Sequence, residues 1–478
     1  MWLIRRVKTV HILYLLCVIA MLLFISFFQL PEVTPLPGHG QRQRDVSGTQ
    51  NVTAGLRRQG SRDYYRSPVA ESLLQQYQSQ YKDLTTTVEN TPFVGFYYLN
   101  ETEPYKVFLK RLKRLQKTGI WLKELFNISG TSSWERFHRG INQYYLYDPD
   151  NDTTVQDLMT DLSTRNIVLS EEDFGGSQLK LKLTFDDAGQ GLFKPRRQGK
   201  GIERLQDKVF YLELESHTAE IAAFHLDRLL GFYRVPPAVG RAINVTMDVS
   251  IRGDESLRNG VFTSPEGRVC FYGHCLHCDR SNAACGMPEL LEGSVVAYLP
   301  MNLRIREKHP YQRTFVSKKN QWEKNTDYCE TDVKKKNLYL KGRTLLDLMD
   351  MAVFDFLIGN IDRHHFERFK DFGLDSFILH HDTGKGFGKP EHDCASCMTP
   401  LRQCCVLRLS TLAKLLKLYQ GPQSLSELLR SSLLADPLSP ILGERHLHAA
   451  DRRIGKVIRA VGDCLKGGKP WETVVIDN

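Results

Sequence analysis

Hydrophobic and polar positions alternate most sharply over Gln178–Phe185. Gln-Leu-Lys-Leu-Lys-Leu-Thr-Phe places every second side chain on one face, the pattern of a strand with one buried side. Gly189-Gln190-Gly191 then turns the chain into Leu192-Phe193-Lys194, which predicts a second strand and a hairpin. A helical period follows over His217–Leu230, carried by Ala219, Ala222, Ala223, Leu226, Leu229 and Leu230. Further on, Thr344–Ile358 is strongly apolar and predicts a helix that stops at Gly359-Asn360. Ser376–His381 predicts a short strand, and helical patterns return over 407–418, 425–434 and 446–465. Upstream, 69–81 and 105–125 also read as helices. In the second, Lys-Arg pairs interleave with Val107, Leu109, Leu112, Leu115, Ile120 and Leu122, a stripe suited to a domain face. No internal repeat is present. The pattern predicts an α+β fold with a small mixed lobe and a larger helical one.

The N-terminus adds a compartment. Arg5, Arg6 and Lys8 precede an uncharged apolar stretch over 9–28, and twenty residues at helical rise cross a hydrocarbon layer. The upstream charges predict a cytosolic tail at 1–8 and a type II signal anchor at 9–28. A cleaved signal peptide is the rival, but its apolar region should be shorter and end in small residues. This one closes on Phe27-Phe28-Gln29-Leu30-Pro31. Either reading puts the remainder in the secretory lumen. Residues 29–68, poor in large apolar side chains, read as a flexible stem. Residues 69–133 read as a helical segment packing on the main domain, 134–299 as the small lobe with its exit, and 300–478 as the large lobe.

Composition changes this picture little. With 478 residues, 41% hydrophobic and 25% charged, the chain can bury a sizeable core. The net charge of +9 is modest and scattered; the densest run, Lys334-Lys335-Lys336, reads as a solvated loop. A nucleic-acid partner is not expected, whereas acidic substrates or phosphates suit the mildly basic surface. Sequons at Asn51, Asn100, Asn127, Asn151 and Asn244 fit N-glycosylation in the lumen.

Of eleven cysteines, only Cys17 lies before residue 270. Cys270, Cys275, Cys278 and Cys285 cluster, while Cys329, Cys404, Cys405 and Cys464 are spread as cross-links between distant segments would be. Cys275-x-x-Cys278 beside His274 and His277 could be half of a zinc site, although an oxidising lumen favours disulfides. Adjacent Cys404 and Cys405 should reach different partners.

Candidate chemistry concentrates at Gly359-Asn360-Ile361-Asp362-Arg363-His364-His365-Phe366-Glu367, where an apolar helix delivers a burst of ionisable residues. Beyond it, Phe377-Ile378-Leu379 leads to Asp382. Phosphoryl transfer needs one carboxylate near the attacking hydroxyl and another on the metal that bridges the phosphates. Asp362, Glu367 and Asp382 reproduce the spacing with which protein kinases meet that need, without a His-Arg-Asp. Asp173-Phe174-Gly175 and Asp371-Phe372-Gly373 both lie in the wrong place for a metal-binding Asp-Phe-Gly. Two rivals stand at this point: a structural ion-pair knot around Arg363, His364 and His365, and a metallohydrolase using the His pair. Lys194, on a strand after a glycine turn, could reach phosphates, as could Lys180 one strand earlier. Glu213, Glu215 and Glu220 crowd the helix entrance, where an acid could pair with Lys194, hold metal, or simply favour the helix dipole. Gly384-x-Gly386-x-Gly388 reads as a flexible segment after Asp382, not a phosphate cradle.

These residues carry a family resemblance. Gly-Gly-Ser-Gln-Leu-Lys-Leu (175–181), Leu-Phe-Lys-Pro (192–195), Ala-Glu-Ile-Ala-Ala-Phe-His-Leu-Asp-Arg (219–228), Phe-Asp-Phe-Leu-Ile-Gly-Asn-Ile-Asp-Arg-His-His (354–365) and Gln-Cys-Cys (403–405) are similar to the secretory-pathway atypical kinases. That family comprises the Golgi casein kinase, the glycosaminoglycan xylosylkinase and a pseudokinase relative. The resemblance runs from about Trp134 to Asp477. It implies a bilobal, kinase-like fold stabilised by the disulfides Cys270–Cys285, Cys275–Cys278, Cys329–Cys404 and Cys405–Cys464. It also implies ATP as nucleotide and Mn2+, or Mg2+, as metal. Gln178, Lys180 and Lys194 would contact phosphates, and Val296-Ala297-Tyr298-Leu299 would be the hinge that holds adenine. Asp362 would be the catalytic base, Glu367 a nucleotide contact, and Glu215 and Asp382 the metal ligands, Asp382 also touching nucleotide.

The pseudokinase relative carries an amide at the position of Glu215, so the carboxylate here implies a working enzyme. Departures are Asp382-Thr383-Gly384 for the usual Asp-Asn-Gly and Ser216-His217-Thr218 for Arg-His-Asn. Cys394 and Cys397 stand where relatives lack cysteine, and could pair locally or remain free. The segments Trp134-x-x-Phe-His-x-Gly-Ile-Asn-x-Tyr, Arg234-Val235-Pro236-Pro237 and Gly386-Phe387-Gly388-Lys389 lean towards the casein kinase branch. That branch implies serine phosphorylation of secreted proteins at Ser-x-Glu sites. Gly231-Phe232 and the Cys275-x-x-Cys278 spacing lean towards the xylosylkinase, whose acceptor is xylose in the proteoglycan linker. A nucleotide-binding pseudokinase that activates a partner is the third reading. The family further implies the Golgi membrane, release after stem cleavage, and a dimer with itself or a related chain.

Overall fold

The computed structural model describes residues 130–150, 152–174, 176–197, 215–313 and 319–476. The predicted anchor, stem and helices at 69–81 and 105–125 lie outside the described residues, as do Glu213, Gly175 and the sequons at 51, 100, 127 and 151. Among the described residues no helix is long and apolar enough to cross a membrane.

Two helices open the described chain. Helix α1 (Ser133–Gly140) starts on a capping box in which Ser132 and Glu135 satisfy each other's backbone N–H groups, and α2 (Thr153–Thr164) follows. The small lobe is built on a five-stranded antiparallel sheet: β1 (Ile167–Glu172), β2 (Leu181–Phe185), β3 (Gln190–Pro195), β4 (Ala238–Asn244) and β5 (Leu290–Ala297), in the order β1-β2-β3-β5-β4. Alternation in β2 buries Leu181, Leu183 and Phe185 and leaves Lys182 and Thr184 half-exposed, as a one-sided strand requires. Between β3 and β4 runs α3 (His217–Leu230), which packs against β4 and β5 and buries nearly all its faces. It ends at Gly231, whose φ of 76° is the left-handed conformation that glycine adopts without strain.

Beyond β5, strand β6 (Arg304–Lys308) pairs antiparallel with β7 (His365–Phe369). The large lobe centres on α4 (Thr344–Ile358), whose side chains are buried from Leu346 to Ile358. A helix apolar all round belongs at the centre of a core. Packed on it are α5 (Thr399–Cys404) and α8 (Glu444–Lys466), and α6 (Leu409–Gln420) and α7 (Leu425–Leu433) pack in turn on α8.

Three acids of α4 are buried without being stranded. Asp347 meets Arg343 at 2.8 Å, Arg408 at 2.7 Å and Arg234 at 3.2 Å. Asp350 meets Arg234 at 3.1 Å, bonds Arg408, and accepts from the Thr411 hydroxyl at 2.7 Å. Asp355 takes both arms of the Arg363 guanidinium at 2.9 Å. Buried carboxylates survive only with such partners.

Several predicted boundaries shift. The strand expected over Gln178–Phe185 begins at Leu181; just before it, the Lys180 carbonyl accepts from the Asp173 N–H at 3.1 Å and its ammonium lies 3.7 Å from the Asp173 carboxylate. The glycine turn falls earlier, over Asp186–Gly189, and Gln190 and Gly191 already belong to β3. Ser376–His381 is not a strand: only Leu379 makes a bridge, to Glu367. Its backbone is satisfied by tertiary partners instead. The N–H groups of Phe377, Ile378 and His380 donate to the Gln143 carbonyl, the Asp347 carboxylate and the Arg234 carbonyl. The helix expected over 407–418 opens with two strand residues, Leu407–Arg408, paired in parallel with Val475–Ile476.

The disulfides Cys270–Cys285, Cys275–Cys278, Cys329–Cys404 and Cys405–Cys464 are all formed. Cys275 and Cys278 are therefore a disulfide and not half of a zinc site. Cys394 and Cys397 form a fifth, local bond. At the described sequon, Asn244 Nδ2, the atom a glycan would take, donates to Glu289 at 3.2 Å while its oxygen caps the next turn.

Candidate active site

Strand β3 presents Lys194 to the entrance of α3. Its Nζ lies 2.5 Å from Glu220 and 3.2 Å from Glu215, an ammonium shared by two carboxylates. Burial opposes the Lys194 charge, but Glu215, Glu220 and Asp382 together hold it protonated well above the usual lysine range. Burial raises the Glu215 carboxyl above its ordinary value; Lys194 opposes the rise, while Asp382 and Glu220 add to it. Glu220 is fixed from its other side by the Thr383 hydroxyl at 2.7 Å. The threonine that departs from the family pattern thus has a defined place: it holds the acid that holds Lys194.

The catalytic-loop candidates meet the Asp382 segment through backbone contacts. Gly359, at φ 71°, ends α4 and turns the chain. The Asn360 side chain then accepts from the Asp362 N–H at 3.1 Å and donates to the Asp382 carbonyl at 3.4 Å. Arg363 reaches across from Asp355 to the His381 carbonyl at 2.6 Å. Asp362 and Asp382 are thereby tied together from both sides. Arg363 is structural, as the ion-pair reading expected, while Asp362 keeps its carboxylate half-exposed beside His364, 3.4 Å away. Hydrogen bonding to Asp362 raises the His364 imidazole above its ordinary value. Asp382 sits at φ 59°, a strained position for a non-glycine residue, with its side chain open to the cleft. The protein packed around the cleft favours the neutral acid, but Lys194, His381, Arg363 and His365 outweigh that and keep its carboxyl ionised well below the usual range.

Glu367 stands on β7. Arg304 binds its Oε2, and His381 Nε2 lies 3.5 Å from Oε1. Burial favours the neutral acid, but the His381 bond and the charges of His381, Arg304 and His365 bring it down to about 2. Arg304 also donates to the carbonyls of Leu299 and Pro300, so it joins Glu367 to the end of the predicted hinge. In that segment the Tyr298 N–H donates to the Gln190 carbonyl, and its carbonyl meets His138 of α1 at 3.0 Å. Val296 and Ala297 are the buried end of β5. Of the remaining phosphate candidates, Gln178 is buried and Lys180 sits just before β2, so both line the loop leading into it.

The residues present suit a hard divalent cation. Glu215, Glu220 and Asp382 crowd Lys194 with more negative charge than it neutralises, and carboxylate oxygens are the donors that manganese or magnesium takes. Gly384 makes the approach possible: a Cβ there would lie 2.6 Å from Glu215 Oε2. Glu215 and Asp382 would hold the ion, with Glu220 reserved for Lys194.

Three contributors were not legible in the pattern. Arg304 gave no signal beyond its charge. His381 was read as the end of a strand. Arg313 bonds the Ile361 carbonyl, donates to Ser396 at 3.0 Å, and rests on the sulfurs of Cys394 and Cys397 at 3.1 and 3.3 Å. Burial lowers its guanidinium to about 10, against the pull of Asp355 and Asp362.

Comparison with known proteins places these features in a common frame. Residues 132–472 match the family described as Golgi casein kinase, C-terminal, Fam20. The human extracellular serine/threonine protein kinase FAM20C is 44% identical over 340 residues, which cover 70% of this chain; the chain spans 58% of that relative's own length. The human glycosaminoglycan xylosylkinase is 36% identical over 335 residues, covering 70% of this chain and 80% of the relative. A crystal structure of the Golgi casein kinase with Mn/ADP bound superposes with a TM-score of 0.70 at 35% identity, covering 80% of this chain and 95% of that one.

Proposed function

The chain belongs to the Fam20 family of Golgi casein kinase C-terminal domains, and on that premise we propose that it transfers the γ-phosphate of ATP to serine hydroxyls of secreted proteins. The observation that carries this reading is Lys194 clasped by Glu220 and Glu215 opposite Asp382. Such a set serves a metal-bound nucleotide and has no comparable use in an ion-pair knot. Manganese, when held by Glu215 and Asp382, would neutralise the charge between the phosphates. Lys194, with Lys180 and Gln178, positions the phosphates, and the 296–299 hinge takes the base. Glu367, steadied by Arg304, contacts the nucleotide. Asp362 orients the acceptor hydroxyl and accepts its proton.

Glu215 separates this reading from a pseudokinase, because a carboxylate neutralises a dication where an amide does not. Two features favour the xylosylkinase reading: the Cys275–Cys278 spacing and Gly231-Phe232. Three longer segments favour the protein kinase. Purified protein incubated with ATP, manganese and either casein or a xylose-bearing tetrasaccharide decides between them. Label on casein is expected; label on the sugar alone would overturn the choice, and label on neither, with nucleotide still bound, would leave the pseudokinase. Asp362→Ala should remove about 10³-fold or more of kcat while nucleotide binding persists.

The 9–28 segment is proposed to anchor the chain as a type II protein of the Golgi membrane, with the kinase in the lumen. Retention of the full chain in the membrane pellet after alkaline carbonate extraction is the expected result.

A further inference from the structure

Beside the proposed nucleotide site lies a second constellation that the phosphoryl-transfer chemistry does not use as a unit. His365 and Glu367, two residues apart on β7, share one face of the strand, because successive strand side chains alternate. The loop before Asp382 brings His381 over that face. Ligand-competent atoms of His365, Glu367 and His381 lie within 4.8 Å of one another. Tetrahedral zinc ligands at about 2.1 Å sit roughly 3.4 Å apart, so small side-chain rotations close the set. His381 Nε2 and Glu367 Oε1 are already 3.5 Å apart.

The surroundings fit a ligand cluster. Arg304 takes the other oxygen of Glu367 and so aims Oε1 towards the imidazoles, the orientation that outer-shell partners give to metal ligands. Among the described residues, His381 turns Nε2 to Glu367, while its other ring nitrogen, Nδ1, is buried without a hydrogen-bond partner. His365 shares its Nδ1 with Arg306, an exposed side chain that can turn to solvent. Two imidazoles and one carboxylate suit borderline zinc better than hard manganese, and three protein ligands leave one position open.

We propose that His365, Glu367 and His381 form a Zn2+ site, distinct from the Glu215–Asp382 site, and that its occupancy weakens nucleotide binding. The inhibitory part rests on the reading of Glu367 as a nucleotide contact: zinc engages that carboxylate and places positive charge beside Asp382, which the catalytic metal needs.

Direct binding tests the site without any turnover. Purified full chain, free of nucleotide and manganese, is titrated with Zn2+ against a chromophoric chelator. One Zn2+ per chain is expected at this site, and His381→Leu or His365→Ala should each weaken it about tenfold or more. Unchanged metal-free Tm in the variants confirms that they fold. Equal zinc affinity in wild type and both variants would sink the site. Binding of a fluorescent ADP in manganese is then measured with and without saturating Zn2+. A loss of about tenfold is expected in wild type and none in His381→Leu. Unchanged ADP affinity in zinc-loaded wild type would overturn the inhibitory role. Failure of ADP to bind at all, zinc or none, would count against the kinase reading instead.

Discussion

Gly384 works by leaving space. A methyl at that position would press on the Glu215 carboxylate, whose oxygen lies 2.6 Å from the Cβ site. Gly384→Ala should therefore raise the manganese concentration for half-maximal activity about tenfold or more; a manganese titration of kinase rate checks it. Glu367 yields a pH prediction. Its folded value of about 2 is depressed from 4.5, so its contribution to stability is present above about pH 4.5 and is lost as pH falls towards 2. At most this is about 3 kcal/mol. Glu367→Gln should flatten the acid limb of Tm against pH by a comparable amount, which calorimetry between pH 2 and 7 would read. Charge and spacing made Asp362, Glu367 and Asp382 visible in the sequence. Nothing local distinguished Glu215 from Glu220, because the difference is which one Lys194 and Thr383 hold more closely. The resemblance assigned Glu215 to metal, and the geometry gives the complementary reason: Glu220 already has two partners.

Helices α3 and α4 were legible to their end residues, since long apolar runs closed by Gly231 and Gly359 leave little choice. Short strands were not. The β7 segment reads as a burst of ionisable residues, and only pairing with Arg304–Lys308 makes it a strand. The opposite error at Ser376–His381 has the same root: its N–H groups donate to distant side-chain and loop acceptors, which no local pattern encodes. Within α4 the buried acids are the sensitive point. Asp350→Ala leaves Arg408 and Arg234 to share the single carboxylate of Asp347 inside the large lobe and should cost about 3 kcal/mol. Denaturant unfolding measures that directly, and a loss below 1 kcal/mol would mean that the network contributes little.

At the scale of the molecule, adjacent Cys404 and Cys405 fasten the end of α5 in two directions. Their partners, Cys329 and Cys464, lie 75 and 59 residues away. Closing loops of that length restricts the unfolded chain by about 4 kcal/mol each on the chain-entropy view. Cys464→Ser should lower Tm by on the order of 5–10 °C, read by calorimetry.

The fifth bond has a different consequence. Arg313 grips the carbonyl just before Asp362 while resting on the sulfurs of Cys394 and Cys397. On the proposed lumenal placement, the pair closes in the oxidising compartment and not before. Before that bond closes, the chain carries Asp362, Glu367 and Asp382 and still lacks the finished footing for the loop that bears Asp362. On the proposed kinase reading, competence would arrive with the oxidation of Cys394 and Cys397.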